Sequence, residues 1–163
     1  MSTQRLAGIR LLVLDVDGVL TDGRIQLSAS GEESKSFHVR DGLGIKRVMA
    51  AGVTVALISG RSSAVVQRRA DELGIPEVHQ GVEDKLPVLE GLMEKLGIDH
   101  AAVAVMGDDL PDLALMHGAG FRATVADAPS VVRDAVDWVA PEAGGAGAVR
   151  SLCDLICDAK GAG

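Results

Sequence analysis

Short apolar runs recur along the chain, and they lack the strict in–out alternation of a half-exposed sheet. IRLLVLDV (9–16), VTVALIS (53–59), AVAVMG (102–107) and FRATV (121–125) predict buried strands of a parallel sheet covered on both faces. VDWVA (136–140) predicts one last short strand. Between them the spacing turns helical, at 41–52, 62–74, 84–97, 110–120, 130–136 and 148–160. Gly52 and Gly74 act as stops, Ser62 as a cap, and Pro87 sits in a first turn, where its missing N–H costs nothing. Alternating strands and helices predict a three-layer, Rossmann-like α/β fold with a parallel central sheet, as a single domain over 1–163. One stretch breaks the rhythm. RIQLSASGEESKSFHV has two extended halves around a polar turn, which predicts a small β-hairpin inserted at about 22–39 in place of a large cap domain. The Gly-rich segment at about 141–148 predicts a flexible approach to the last helix.

Composition narrows the options. With 163 residues, 47% of them apolar and 2% aromatic, the chain can fill one core with Ala, Val, Leu and Ile. A formal charge of −7 speaks against a nucleic-acid binder. Cys153 and Cys157 are the only cysteines, four apart with no further ligands nearby, and read as buried thiols. The four histidines show no zinc-type spacing. No apolar run approaches the ~18 residues of a membrane span, and the first ten residues lack an apolar signal core, so a cytoplasmic protein without membrane partners is expected.

The chemistry lies in the acids. Ligands of open α/β sheets bind beyond the carboxyl ends of the strands. There the sequence places Asp15 and Asp17 after the first strand, Ser59, Gly60 and Arg61 after the second, Lys85 at a helix start, and Asp108, Asp109 and Asp112 in GDDLPD. Carboxylates ~4 Å apart repel by about 4 kcal/mol at an effective dielectric of ~20. A hard divalent cation removes that repulsion, and oxygen donors without histidine or cysteine favour Mg²⁺ over zinc. Phosphate oxygens would fill its open positions, with Ser59 and Lys85 as partners. Asp112 reads as structural.

DVDGVLTDG, ISGR, the DK at 84–85 and GDDLPD, in that order, resemble the four motifs of the haloacid dehalogenase superfamily. KSFHVRDGLGIKRVMAAG, RRADELGI, HQGVEDK and GGAGAVRSLCDLI narrow the resemblance to the 3-deoxy-D-manno-octulosonate 8-phosphate phosphatases, over roughly 11–159. The resemblance implies Asp15 as nucleophile, Asp17 as general acid and base, and Ser59 and Lys85 as phosphoryl partners. It implies Mg²⁺ held by Asp15, the Asp17 backbone carbonyl and Asp108, with Asp109 supporting the metal or Lys85. It assigns substrate contacts to Asp17, His38, Val39, Arg40, Asp41, Gly42, Lys46, Ser59, Gly60, Arg61, Arg69 and Lys85. It further implies a sugar phosphate partner, a role in lipopolysaccharide precursor synthesis, and a homotetramer in which a neighbouring chain, or the 144–147 segment with Arg150, covers the site. Two other readings stay open on sequence: a nine-carbon 2-keto-3-deoxy sugar acid phosphate as substrate, and an aspartate-phosphorylated receiver domain.

Overall fold

The computed structural model describes residues 3–162. Helix α1 (Thr3–Ala7) leads into β1 (Leu11–Leu14), followed by the paired β2 (Gln26–Leu27) and β3 (Glu33–Ser34). Then come α2 (Val39–Ala50), β4 (Thr54–Ile58), α3 (Ala64–Leu73), β5 (Glu77–His79), α4 (Leu86–Leu96) and β6 (Val103–Met106). The chain finishes with α5 (Leu113–His117), β7 (Phe121–Thr124), α6 (Ser130–Arg133), β8 (Trp138–Val139) and α7 (Ala148–Ala159). Short 3₁₀ turns precede β6 and α5.

Six strands form one sheet in the order β5-β4-β1-β6-β7-β8, every pair parallel. The predicted strands all occur, and β1, whose four residues are buried without alternation, runs through the middle. Right-handed crossovers then put α2 and α3 on one face and α4 and α5 on the other. α7 packs against α2 and α1, and its apolar face (Val149, Leu152, Cys153, Ile156, Cys157) is fully buried. Both thiols lie in this core, and burial raises the pKa of each. Among the described residues, no helix is long and apolar enough to cross a membrane.

Several elements differ from the sequence-based expectation. β5 and α1 were not expected. β5 is a three-residue, half-buried edge strand that exists only through its pairing with β4. α3 begins at Ala64, so the cap position falls on Ser63 rather than Ser62. The helix expected over 110–120 is a 3₁₀ turn that passes into a five-residue helix. The hairpin is present, with Gln26 opposite Ser34 and Leu27 opposite Glu33. The Gly-rich segment expected to be flexible is pinned: the Gly145 N–H donates to Val19 O and the Gly144 N–H to Asp127 Oδ1. A Cβ at Gly144 would come within 1.9 Å of the Gly18 carbonyl oxygen. Glycine there allows two backbones to touch, and flexibility is not its role.

Candidate active site

The order of strands along the sheet reverses between β1 and β6, so their carboxyl ends open the crevice where α/β folds bind ligands. The ladder continues past β1, because the Asp15 N–H donates to Met106 O at 3.0 Å. That bond fixes the first acid at the crevice floor. The chain then turns sharply, with the N–H groups of Val19, Leu20 and Thr21 all donating to Val16 O. Gly18 makes the turn at φ 93°, and a Cβ there would lie 2.0 Å from Asp108 Oδ2. Only glycine lets the loop after β1 and the loop after β6 approach this closely.

Four charged side chains meet there. Lys85, the cap residue of α4, donates from Nζ to Asp15 Oδ1 at 2.6 Å and to Asp112 Oδ1 at 2.7 Å. The other oxygen of Asp112 accepts from the Asp108 backbone N–H at 3.0 Å, which shapes the loop that presents Asp108. Carboxylate oxygens of Asp15, Asp108 and Asp112 lie within 4.8 Å of one another. Three acids thus face one ammonium in a largely buried place. Burial, then the Asp112 charge, pushes Asp15 up to about 6. Burial, then the charges of Asp15 and Asp112, pushes Asp108 up to about 8. Burial alone would lower Lys85, but Asp15 and Asp112 outweigh it and hold its pKa above the ordinary value. An excess of negative charge on hard oxygen donors is the environment a divalent cation fits.

Around this cluster is a cleft of about 650 Å³ lined by Asp15, Asp17, Ser59, Gly60, Arg61 and Lys85, with Asp108, Asp109 and Asp112 beyond them. The loop carrying Ser59 is tied at both ends, its N–H to His79 O and its carbonyl to the Val82 N–H. The unexpected strand β5 therefore steadies the hydroxyl. Asp17 lines the same cleft but is held by cations from other loops. Lys35 of the hairpin donates to Asp17 Oδ1, and Arg61 lies 4.0 Å from Asp17 Oδ2.

A haloacid dehalogenase-like hydrolase family profile matches residues 77–151. The 3-deoxy-D-manno-octulosonate 8-phosphate phosphatase of Escherichia coli K12 is 46% identical over 153 residues, 94% of this chain and 81% of the relative. The chain belongs to this family of haloacid dehalogenase-like phosphatases. The crystal structure of the Moraxella catarrhalis octulosonate phosphatase, in complex with magnesium, phosphate and KDO (the octulosonate sugar acid), superposes with a TM-score of 0.95 at 45% identity, covering 98% of this chain and 91% of the other. The cobalt-bound Haemophilus influenzae phosphatase superposes at 0.93 and 44% identity, covering 96% and 92%.

The remaining residues expected in the phosphatase's substrate site stand outside this cleft. His38, Asp41, Gly42 and Arg69 line a narrow apolar crevice with Leu20 and Phe37. Asp41 is buried, accepts from the Arg150 backbone N–H at 2.8 Å, and joins α2 to the start of α7. Arg69 lies over the Phe37 ring and pairs with Glu72. Val39 and Lys46 are exposed, while Arg40 and Arg150 line a separate groove. Arg150 itself pairs with Asp154, so neither it nor 144–147 reaches the cleft of its own chain.

Two roles move relative to expectation. The support of Lys85 falls to Asp112, read from sequence as structural. Asp109, the other candidate, is exposed and accepts from the Leu110 N–H, where it starts the 3₁₀ turn. Lys35 was missed because its partner is 18 residues away and only the fold of the hairpin brings the two together.

Proposed function

We propose that this chain hydrolyses 3-deoxy-D-manno-octulosonate 8-phosphate to 3-deoxy-D-manno-octulosonate and inorganic phosphate, as a Mg²⁺-dependent phosphoric monoester hydrolase. The observation that carries the reading is the Asp15–Lys85–Asp112 ion pair beside Asp108 at the sheet's switch point. Relatives that carry this activity by name, one of them solved with magnesium, phosphate and KDO, support it.

Asp15 and Asp108, with the Asp17 backbone carbonyl, would hold the ion, which when bound offsets phosphate charge so that an anionic nucleophile can approach. A carboxylate oxygen of Asp15 attacks phosphorus, the P–O bond to the sugar breaks, and Asp17 gives its proton to the departing oxygen. Asp17 then takes a proton from water, whose oxygen attacks the aspartyl-phosphate and releases phosphate and free Asp15. Lys85 and Ser59 bind the phosphoryl oxygens, and Asp112 keeps Lys85 aimed at them. Gly60 and Arg61, which also line the cleft, would contact the sugar.

The contacts away from phosphorus are supplied by a neighbouring protomer in a homotetramer, which presents the basic His38, Arg40, Lys46 or Arg69, with Val39, to the open cleft. Exposed apolar side chains on the hairpin and the start of α2, Leu27 at 65% and Val39 at 81% with Ile25 and Leu43, support such an assembly. Sedimentation as a fully active monomer would remove it. With that activity the chain would act in the cytoplasm, in lipopolysaccharide precursor synthesis.

Against a receiver domain stands the sheet itself. Numbered along the chain, its strands run 3-2-1-4-5-6, whereas receivers have the flavodoxin-like order 2-1-3-4-5. Steady-state phosphate release from a panel of sugar phosphates, compared by kcat/KM, tests the substrate. Preference for the eight-carbon ester, with reversible loss in EDTA, is expected. Preference for a nine-carbon ester would reassign the substrate within the same chemistry.

A further inference from the structure

The hairpin carries a lysine that a solvated ribbon would not bury. The Lys35 side chain is 1% exposed, although the two strands around it are mostly open to solvent. A buried ammonium is tolerated only when paired, and this one has two acidic partners. It donates to Asp17 Oδ1 at 2.5 Å and lies 3.3 Å from Glu33 Oε1. Arg61, from the loop after β4, closes the ring: Nη2 donates to the same Glu33 oxygen at 3.1 Å, and Nε approaches the second oxygen of Asp17. The hairpin, the loop after β1 and the loop after β4 are therefore joined through the carboxylate of Asp17.

We propose that Lys35 is a positioning residue for catalysis: from the hairpin it holds one oxygen of Asp17 so that the other is presented to the oxygen of the departing sugar. Lys35 touches no reacting atom in this arrangement. Its effect passes through Asp17, with Glu33 keeping the ammonium in place. The hairpin then has a chemical role in its own protomer's site, whatever else it packs against. This rests on the reading of Asp17 as the general acid and base given above, and the experiment separates failure of one from failure of the other.

A proton donor matters most when the leaving group is a poor one. The octulosonate alkoxide needs a proton to depart, whereas p-nitrophenolate leaves without one. Lys35→Met keeps the length of the side chain and removes its donors. Measured on the holoenzyme, it is expected to lower kcat/KM for octulosonate 8-phosphate by about tenfold or more and kcat/KM for p-nitrophenyl phosphate by about twofold or less, because kcat/KM reports the steps up to departure of the alcohol and not the water step common to both esters. Asp17→Asn is run beside it and should show the same selectivity, larger. Should Asp17→Asn lose both esters equally, the acid–base reading fails. If Asp17→Asn is selective while a folded Lys35→Met loses both equally, or neither, the positioning role alone is overturned. Thermal unfolding checks that the variants fold. If Lys35→Met does not fold, Lys35→Arg, which keeps a cation and its donors, decides: a smaller loss confined to the sugar ester sustains the role, and equal loss on both esters, or none, overturns it.

Discussion

Two ion-pair clusters in this protein are built on opposite balances. At the switch point, three carboxylates (Asp15, Asp108, Asp112) lie together with one ammonium, which pairs with Asp15 and Asp112, and Asp15 and Asp108 are held above the ordinary carboxylate range. At the far side of the sheet, one carboxylate, Asp137, is shared by two guanidiniums, Arg122 and Arg5. Partial burial of Asp137 is outweighed there by hydrogen bonds from the Arg122 side chain and backbone, which bring it down to about 2. The second cluster is complete in itself and ties β7 to the turn before β8. The first is short of positive charge, and that deficit marks a place shaped for a cation and a reacting phosphate instead of for stability.

Substitutions can sharpen the contrast. Asp15→Asn should have the largest effect, taking turnover of the sugar phosphate below about one-thousandth of wild type, because it removes the attacking carboxylate itself. Lys85→Met should come next. In phosphate-release assays it should cost about 100-fold or more in kcat, since it removes a donor to the phosphoryl group. In urea unfolding with EDTA present it should also cost about 3 kcal/mol of stability, through the two acids left unpaired.

pH separates the clusters by sign. Free carboxyls of this type titrate near 3.8, and the metal-free fold raises Asp15 to about 6 and Asp108 to about 8. Between about pH 4 and 8 the folded state therefore binds more protons than the unfolded one, and stability in EDTA should fall as pH rises. Saturating Mg²⁺ should flatten that slope. Asp137 works the other way. Its folded value lies below the unfolded one, so its contribution is present above about pH 4 and lost as pH falls towards about 2. Thermal melts across pH, with and without Mg²⁺, read both. Asp137→Asn should have the smallest effect, about 1 kcal/mol of stability on a partly exposed pair, with kcat unchanged. A fall in kcat with Asp137→Asn would break the comparison.

What could be read from sequence follows range. The buried strands and the helix stops at Gly52 and Gly74 are local signals that the fold uses as expected, and of the acids after β1 and β6 it brings Asp15, Asp108 and Asp112 together. β5 was illegible because three residues of mixed polarity say nothing until β4 lies beside them. The partnership of Asp112 with Lys85 and that of Lys35 with Asp17 were missed for a related reason, because folding brings these partners in from 27 and 18 residues away. The glycines at 144 and 145 were read as freedom, whereas their meaning is the loop pressed against them. The basic residues at 38–46 and Arg69 carry a clear motif, yet the fold of the single chain leaves them outside the cleft.

The central claim is that the excess of acid at the switch point is a Mg²⁺ site, and calorimetric titration of the metal-free protein with Mg²⁺, in buffers of different ionisation enthalpy at pH 6 and pH 8, tests it most directly. Binding should be tighter at pH 8, should release protons at pH 6 as Asp108 and Asp15 give them up, and should be lost in Asp108→Asn. Mg²⁺ that binds equally at both pH values, releases no proton, or binds unchanged to Asp108→Asn would contradict it.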